Sequence, residues 1–330
     1  MRSNDRQREF IRPYRFIAVG LVVAVLMSIL TGRLWDLQVV QGDHYRTLAE
    51  GNRLLRLPVP ADRGIILDRS GKILVRNIPG FAVSVVPVDL PMARQDDVAA
   101  GLAQLIGRDG AEVQKAIADQ RGRNPYEPVK ISTKPISRDV ALLLAERAEL
   151  YPGVRIDAES VREYVNGPLY SPIIGYTGPI TEDELQAKQD LGYLPTDQIG
   201  RTGLEWEYEQ YLRGQYGSRE IERDASQREI KTLAQTPSQP GGNVVLTIDD
   251  RLQNLLANEL NAGVNADAFT QAVAVAMNPQ NGEILAMVST PAYDNNMFVR
   301  GITQTELDAL NKDDRHPLVN KAVGEIYPPG

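Results

Sequence analysis

The chain has 330 residues with 36 Lys and Arg against 43 Asp and Glu, a net charge of −7, which argues against the basic footprint of a nucleic-acid binder. Charged residues make up 24% and hydrophobic residues 42%, a globular balance that argues against disorder. Cysteine is absent, so disulfides, thiolate metal sites and a cysteine nucleophile are excluded, and the two histidines, His44 and His316, stand in no metal-binding spacing.

The first element is the uncharged run Phe16 to Gly32, 17 residues long. As a helix it spans about 26 Å at ~1.5 Å per residue, a little under a hydrocarbon core of about 30 Å. Leu34 and Trp35 extend it, because Arg33 between them can snorkel to the headgroups. A soluble core helix would show a polar face, and a signal peptide would end in a small-x-small cleavage site; this run has neither. Arg2, Arg6, Arg8, Arg12 and Arg15 precede it against Asp5 and Glu9, so the expected arrangement is a single-span anchor with its N-terminus in the cytoplasm. Leu37, Gln41, Tyr45, Leu48 and Asn52 continue the helical spacing, and Gly42 weakens it.

Leu54 to Pro60 reads as extended. Two apolar runs flank Asp68-Arg69-Ser70-Gly71, which predicts a hairpin with Gly71 at positive φ. Phe81 to Val86 predicts a separate strand. Helices follow around Val98 to Ile106 with Gly107 as stop, around Val113 to Ile117, and from Val140 to Ala148, ended by Pro152-Gly153. Val154, Ile156 and Ala158 alternate as a half-exposed strand. Thr181 and Glu184 have capping-box spacing. From Gly200 to Gly214 one helix is expected, with Leu204, Tyr208, Tyr211 and Leu212 as its buried face, Glu205 and Glu207 toward the positive end and Arg213 toward the negative end. Arg219 to Asp224 and Arg228 to Leu233 predict a polar hairpin, and Thr236 to Gly242 a boundary loop.

Asn243 to Ile248 predicts a strand, and Asp249 or Asp250 caps a helix burying Leu252, Leu255, Leu256 and Leu260. Ala272 to Met277 is apolar throughout and should be buried on both faces. Ile284 to Val288 pairs back on it, and Thr303 with Glu306 repeats the capping box.

Five of these stretches resemble, in order, motifs of the class B penicillin-binding proteins, the membrane-anchored peptidoglycan transpeptidases. They are Arg63-Gly64 through Asp68-Arg69-Ser70-Gly71; Gly200, Gly203, Glu205, Tyr208 and Leu212-Arg213-Gly214; Leu246-Thr247-Ile248-Asp249 with Leu252-Gln253; Asn278-Pro279 with Gly282 to Ser289 and Pro291; and Tyr327-Pro328-Pro329-Gly330. Asn77 to Pro87 and the Arg219 to Leu233 hairpin are similar to the elongation type, penicillin-binding protein 2.

The resemblance implies an α+β chain. Its parts would be a cytoplasmic tail (1–15), an anchor (16–35), a pedestal or dimerisation domain (36–240) and the incomplete start of an α/β transpeptidase domain (241–330). It implies a Ser-x-x-Lys nucleophile motif immediately after Gly330, and no S-x-x-K, S-x-N or K-T-G occurs in the chain. No catalytic residue is therefore assigned here, and no cofactor or metal is implied. The intact protein would bind stem peptides and β-lactams. Its anchor and pedestal would contact the membrane and a multi-span glycan polymerase of the shape, elongation, division and sporulation family. The alternative is a non-catalytic anchored scaffold for that polymerase. Arg63, Asp68 and Arg69 are expected to fix a turn and domain contacts, and Tyr208 and Tyr211 to be core rather than a glycan platform.

Overall fold

The computed structural model describes residues 13–41, 54–224, 229–265 and 270–326. The arginines before Pro13, His44, Tyr45, Leu48, Asn52 and the Tyr327-Pro328-Pro329-Gly330 run lie outside the described residues. The chain is mixed α+β and divides into two compact units, residues 1–56 with 220–233, and residues 57–219 with 234–330.

In the first unit the helix Pro13–Trp35 runs straight into a π-helical turn, Asp36–Val40. Between Gly20 and Val40 lie 21 residues long and apolar enough to cross a membrane, none of them buried by protein. Arg33 and Gln41 both reach the Asp36 carboxylate, at 2.6 and 2.9 Å, so the polar groups at this end satisfy one another. The strands β1 (Leu54–Val59), β8 (Gly217–Arg223) and β9 (Glu229–Thr236) form a sheet in the order β1-β8-β9. As the polar composition predicts, β9 is exposed along its whole length.

The second unit is built on β2 (Ile66–Leu67), β3 (Ile73–Val85), β4 (Val129–Lys130), β5 (Val154–Tyr164) and β10 (Val244–Val245). The hairpin turn forms as expected, with Gly71 at φ 85°. The strand expected at Phe81 is instead the continuation of the hairpin's second arm, so β3 is one strand of 13 residues. It pairs antiparallel with β5 from Val75↔Tyr164 to Val85↔Val154. This long partner carries the chain through Pro79, which breaks the pattern in sequence but lies beyond the reach of β2 and β4 on the other edge.

Two apolar clusters sit at opposite ends of β3. At one end Val83 and Val85 meet Val98 and Leu102 of the helix Gln95–Ile106, and Val113 and Ile117 of Gly110–Arg123. The first helix stops at Gly107, φ 65°, and Asp109 caps the second through the amides of Ala111 and Glu112. The helix Arg138–Glu146 adds Ala141 and Leu144, and it ends well before Pro152-Gly153. At the other end Leu74, Val75, Ile66, Tyr164, Tyr170, Ile174, Leu212 and Ile248 form the second cluster. Each fully buried Leu or Ile is worth about 1.5–3 kcal/mol. Tyr170 and Ile174 stand on a helix absent from the expectations, Gly167–Ile174, whose Pro168 and Pro172 mask its helical pattern in sequence.

Smaller strands β6 (Thr177–Pro179) and β7 (Gln198–Gly200) pair antiparallel, and the Thr181–Glu184 capping box forms as predicted. The stretch expected as a six-residue strand forms only β10, which pairs parallel with β2. β11 (Ala272–Met277) and β12 (Ile284–Thr290) make the expected hairpin. β11 is not buried on both faces: Val275 and Met277 are about half exposed, and among the described residues β12 is its one sheet partner. The helix Asp250–Asn265 turns Gln253 and Ala257 inward and leaves Leu255 out, because a side-chain amide with three partners occupies the inward position.

Candidate functional site

Among the described residues, the motif stretches around Arg63, Asp68, Gly200 to Gly214 and Asp249 form two polar assemblies in the second unit. The first is centred on Glu205. The expected single helix is two short ones, Gly203–Glu207 and Glu209–Leu212, broken at Tyr208 (φ −99°, ψ 20°). The break reverses the expected faces. Tyr208 and Tyr211 are 45% and 57% exposed, whereas Glu205 is fully buried and Glu209 nearly so; of the expected apolar face, Leu212 is fully buried.

Two buried carboxylates require compensating charge. Arg63 supplies Nε to Glu205 at 2.7 Å and Nη2 to Glu209 at 2.6 Å. Arg162 supplies Nε to the other Glu205 oxygen at 2.8 Å. The Arg162 Nη1 also donates to the Gly64 carbonyl (2.8 Å) and to Asn77 Oδ1 (3.0 Å), while Asn77 Nδ2 donates to the Arg63 carbonyl. The amide of Gly200 and the hydroxyl of Tyr193 donate to Glu209 at 2.8 and 3.2 Å. Burial opposes the Arg63 charge, but Glu205 and Glu209 together raise its pKa above the ordinary arginine value. Burial, reinforced by Glu205, pushes the Tyr164 phenol well up, so Tyr164 stays neutral.

The glycines of this assembly are set by close approach. A Cβ on Gly64 would stand 1.8 Å from the Gly242 carbonyl oxygen, and one on Gly200 would stand 1.9 Å from that of Glu205. Gly203 and Gly214 are at positive φ. Arg213 points away from the assembly: it lies over the Tyr193 ring, 3.5 Å from its centroid, and donates to the Leu191 and Gly192 carbonyls.

The second assembly joins the Asp68 turn to Asp249. Asp68 is buried, and one carboxylate oxygen accepts from the Ser70 amide (2.8 Å), the Ser70 hydroxyl (2.8 Å) and the Lys72 amide (2.7 Å). Burial acts to raise its pKa, but these donors outweigh it and hold the group below the usual carboxylate range. The turn then grips the later chain. The Arg69 amide donates to the Ile248 carbonyl at 3.0 Å, and Lys72 pairs with Asp250 at 2.5 Å, which also accepts from the Tyr170 hydroxyl at 2.7 Å. Asp249 caps its helix through the amides of Arg251 and Leu252, and its own amide donates to the Leu285 carbonyl. Gln253 exchanges two hydrogen bonds with the Met287 backbone and donates to the Leu169 carbonyl.

Arg63, Asp68 and Arg69 are expected to fix a turn and domain contacts; Asp68 and Arg69 bond within the turn and to Ile248, whereas Arg63 pairs with Glu205 and Glu209. Sequence reasoning missed Arg162, Asn77 and Asn296. Arg162 shares the inward register of Tyr164 on β5, two residues away, which is the signal that could have marked it. Asn296 exchanges two hydrogen bonds with the Tyr164 backbone, at 3.0 and 2.9 Å.

Neither assembly has the geometry of acyl-transfer chemistry. Ser289 is buried, accepts from the Lys321 amide and faces the Val319 carbonyl, with no base in reach among the described residues. Among the described residues no group of three or more His, Asp or Glu could hold a metal. Among the described residues, the motif positions Arg63, Asp68, Glu205 and Asp249 make hydrogen bonds or ion pairs within the fold.

Comparison with known proteins gives these contacts a context. The penicillin-binding protein dimerisation domain matches residues 58–246, and the penicillin binding protein transpeptidase domain matches residues 272–330. The peptidoglycan D,D-transpeptidase MrdA of Acinetobacter baumannii is 31% identical over 330 residues, all of this chain and 48% of the relative. MrdA of Escherichia coli K12 is 31% identical over 321 residues, 96% of this chain and 49% of the relative. The chain thus spans about half the length of these curated relatives. A solved complex between penicillin-binding protein (PBP2) and MreC from Helicobacter pylori shares the fold, with a TM-score of 0.66 and 24% identity over 84% of this chain and 50% of that one.

Proposed function

The chain belongs to the penicillin-binding proteins that carry a dimerisation domain ahead of a transpeptidase domain, and from that we propose that it is the N-terminal portion of a peptidoglycan D,D-transpeptidase of cell-wall elongation. In this reading Pro13–Trp35 anchors the protein in the cytoplasmic membrane with its N-terminus inside. Residues 36–240 are the pedestal, and residues 241–330 open the transpeptidase domain. The observation that carries the reading is the order of the two family matches behind an apolar N-terminal helix, with relatives named for the activity along the whole chain.

The chemistry belongs to the whole protein. A serine in a Ser-x-x-Lys motif after Gly330 attacks the donor stem peptide, the terminal D-alanine leaves, and an amine takes the acyl group. β-Lactams acylate the same serine. A fluorescent penicillin tests this: the protein continued past Gly330 should carry label that survives denaturation, and the 330 residues alone should carry none. A longer protein that takes no label overturns the reading.

The Helicobacter pylori PBP2 that shares the fold was solved in complex with MreC, and a protein partner is part of the reading proposed for this chain. The partner proposed here is a multi-span glycan polymerase of the shape, elongation, division and sporulation family. Deleting residues 43–240 should abolish co-purification with it; unchanged co-purification removes this part of the proposal.

A further inference from the structure

Among the described residues Lys321 is the largest fully buried side chain, at 1% exposure. Lysine is rarely buried without an anion, because an ammonium withdrawn from water must be compensated. Among the described residues no carboxylate lies within ion-pair distance of it. Its Nζ donates instead to two backbone carbonyls from separate segments, His316 at 3.1 Å and Pro291, just past β12, at 3.4 Å. His316 is at φ 48°, a left-handed conformation that a non-glycine residue adopts uncommonly. The lysine therefore holds a strained turn against the end of β12.

Its neighbours reinforce the same junction. The Lys321 amide donates to the Ser289 hydroxyl on β12 at 3.2 Å. Asn320 donates to the Pro172 carbonyl at 2.9 Å and caps the helix Lys321–Gly324 through the Ala322 amide at 3.1 Å. Burial lowers the Lys321 pKa; the negative fields of Glu325 and Asp313 oppose this and Arg315 adds to it.

We propose that Lys321 is a positioning residue, whose buried ammonium clips the turn at His316 to the end of β12 and so fixes the direction in which the chain leaves toward the nucleophile. The inference rests on the functional reading above, which puts that nucleophile directly after Gly330. The clip keeps the turn and strand in one register, and a 1 Å displacement at a reacting atom is enough to lower a rate by about 100-fold.

The test uses the protein continued past Gly330, with fluorescent penicillin as the probe. Lys321→Met keeps most of the volume and removes the ammonium. Its acylation rate should fall by roughly tenfold or more under conditions where the variant is still fully folded, and Lys321→Arg should recover most of the rate. An unchanged rate in Lys321→Met overturns the proposal. Should Lys321→Met fail to fold, the pH profile of Lys321→Arg decides. An alkaline fall in acylation moved to higher pH than in the unsubstituted protein supports the clip, since a guanidinium keeps its proton beside Glu325, Asp313 and Arg315; superimposed profiles overturn it. Absence of label on the unsubstituted protein refutes the functional reading and this inference with it. Label that is indifferent to position 321 refutes the inference alone.

Discussion

Arg63 and Glu205 are 142 residues apart in the chain, and the guanidinium Nε meets the carboxylate Oε2 at 2.7 Å in a site where Glu205 is fully buried. Glu205 is shared with Arg162, so one side chain joins the approach to β2, strand β5 and the broken helix. Glu205→Ala leaves Arg63 with Glu209 alone and takes from Arg162 its carboxylate partner. The expected loss is about 3–5 kcal/mol, the range for breaking a buried pair by removing one partner. Tyr208→Ala, on the exposed side of the same helix, should lose about 1 kcal/mol or less. Urea denaturation of the two variants checks both values, and equal losses would contradict the reversal of faces.

Gly200 and Gly71 separate two reasons for a glycine. A Cβ at Gly200 meets the Glu205 carbonyl at 1.9 Å, so backbone must move; at Gly71, φ 85°, nothing stands within 4 Å. Gly71→Ala is expected to lose about 1 kcal/mol from backbone strain, and Gly200→Ala about 3 kcal/mol. Thermal denaturation should rank Gly200→Ala as the more damaging.

Asp68 links stability to pH. Its folded-state pKa lies below the unfolded value of about 3.9. Its contribution is therefore complete above that value and fades as pH falls through the lower, folded one. The melting temperature of Asp68→Ala should lie well below that of the unsubstituted protein at pH 6, and the gap should close toward pH 2. A gap independent of pH would show that the carboxylate charge is not what the turn uses.

Gln253 ties the helix Asp250–Asn265 to β12 through Met287. Gln253→Ala leaves the part-buried Met287 amide and the part-buried Met287 and Leu169 carbonyls without this partner, at up to about 1–3 kcal/mol for each group left unsatisfied. Exchange of the Met287 amide proton should speed up in this variant well before the amides of β3 respond. Uniform acceleration across both would contradict a local tie.

The turn, both capping boxes and the β11–β12 hairpin were legible because their determinants are local: Gly71 after Asp68, Thr181 before Glu184, Thr303 before Glu306. The faces of the helix at Gly203 were not. Periodicity assigns apolar residues inward and acids outward, and Arg63 and Arg162, 142 and 43 positions away, invert that choice by offering charge to Glu205. Proline hid the helix Gly167–Ile174, since its burial against the second cluster outweighs local preference. The local work of Asp68 in its turn and of Asp249 at its helix cap was visible in the sequence, but not that the turn reaches the chain just before the cap, where the Arg69 amide meets the Ile248 carbonyl.

Strand β3 supplies Val83 and Val85 to one cluster and Leu74 and Val75 to the other. Val75, Val83 and Val85 share one face of the strand, so sliding β3 by one position against β5 would turn these three away from both clusters together. The alignment of this pair is therefore proofread at both ends, and the two halves of the unit are expected to melt as one.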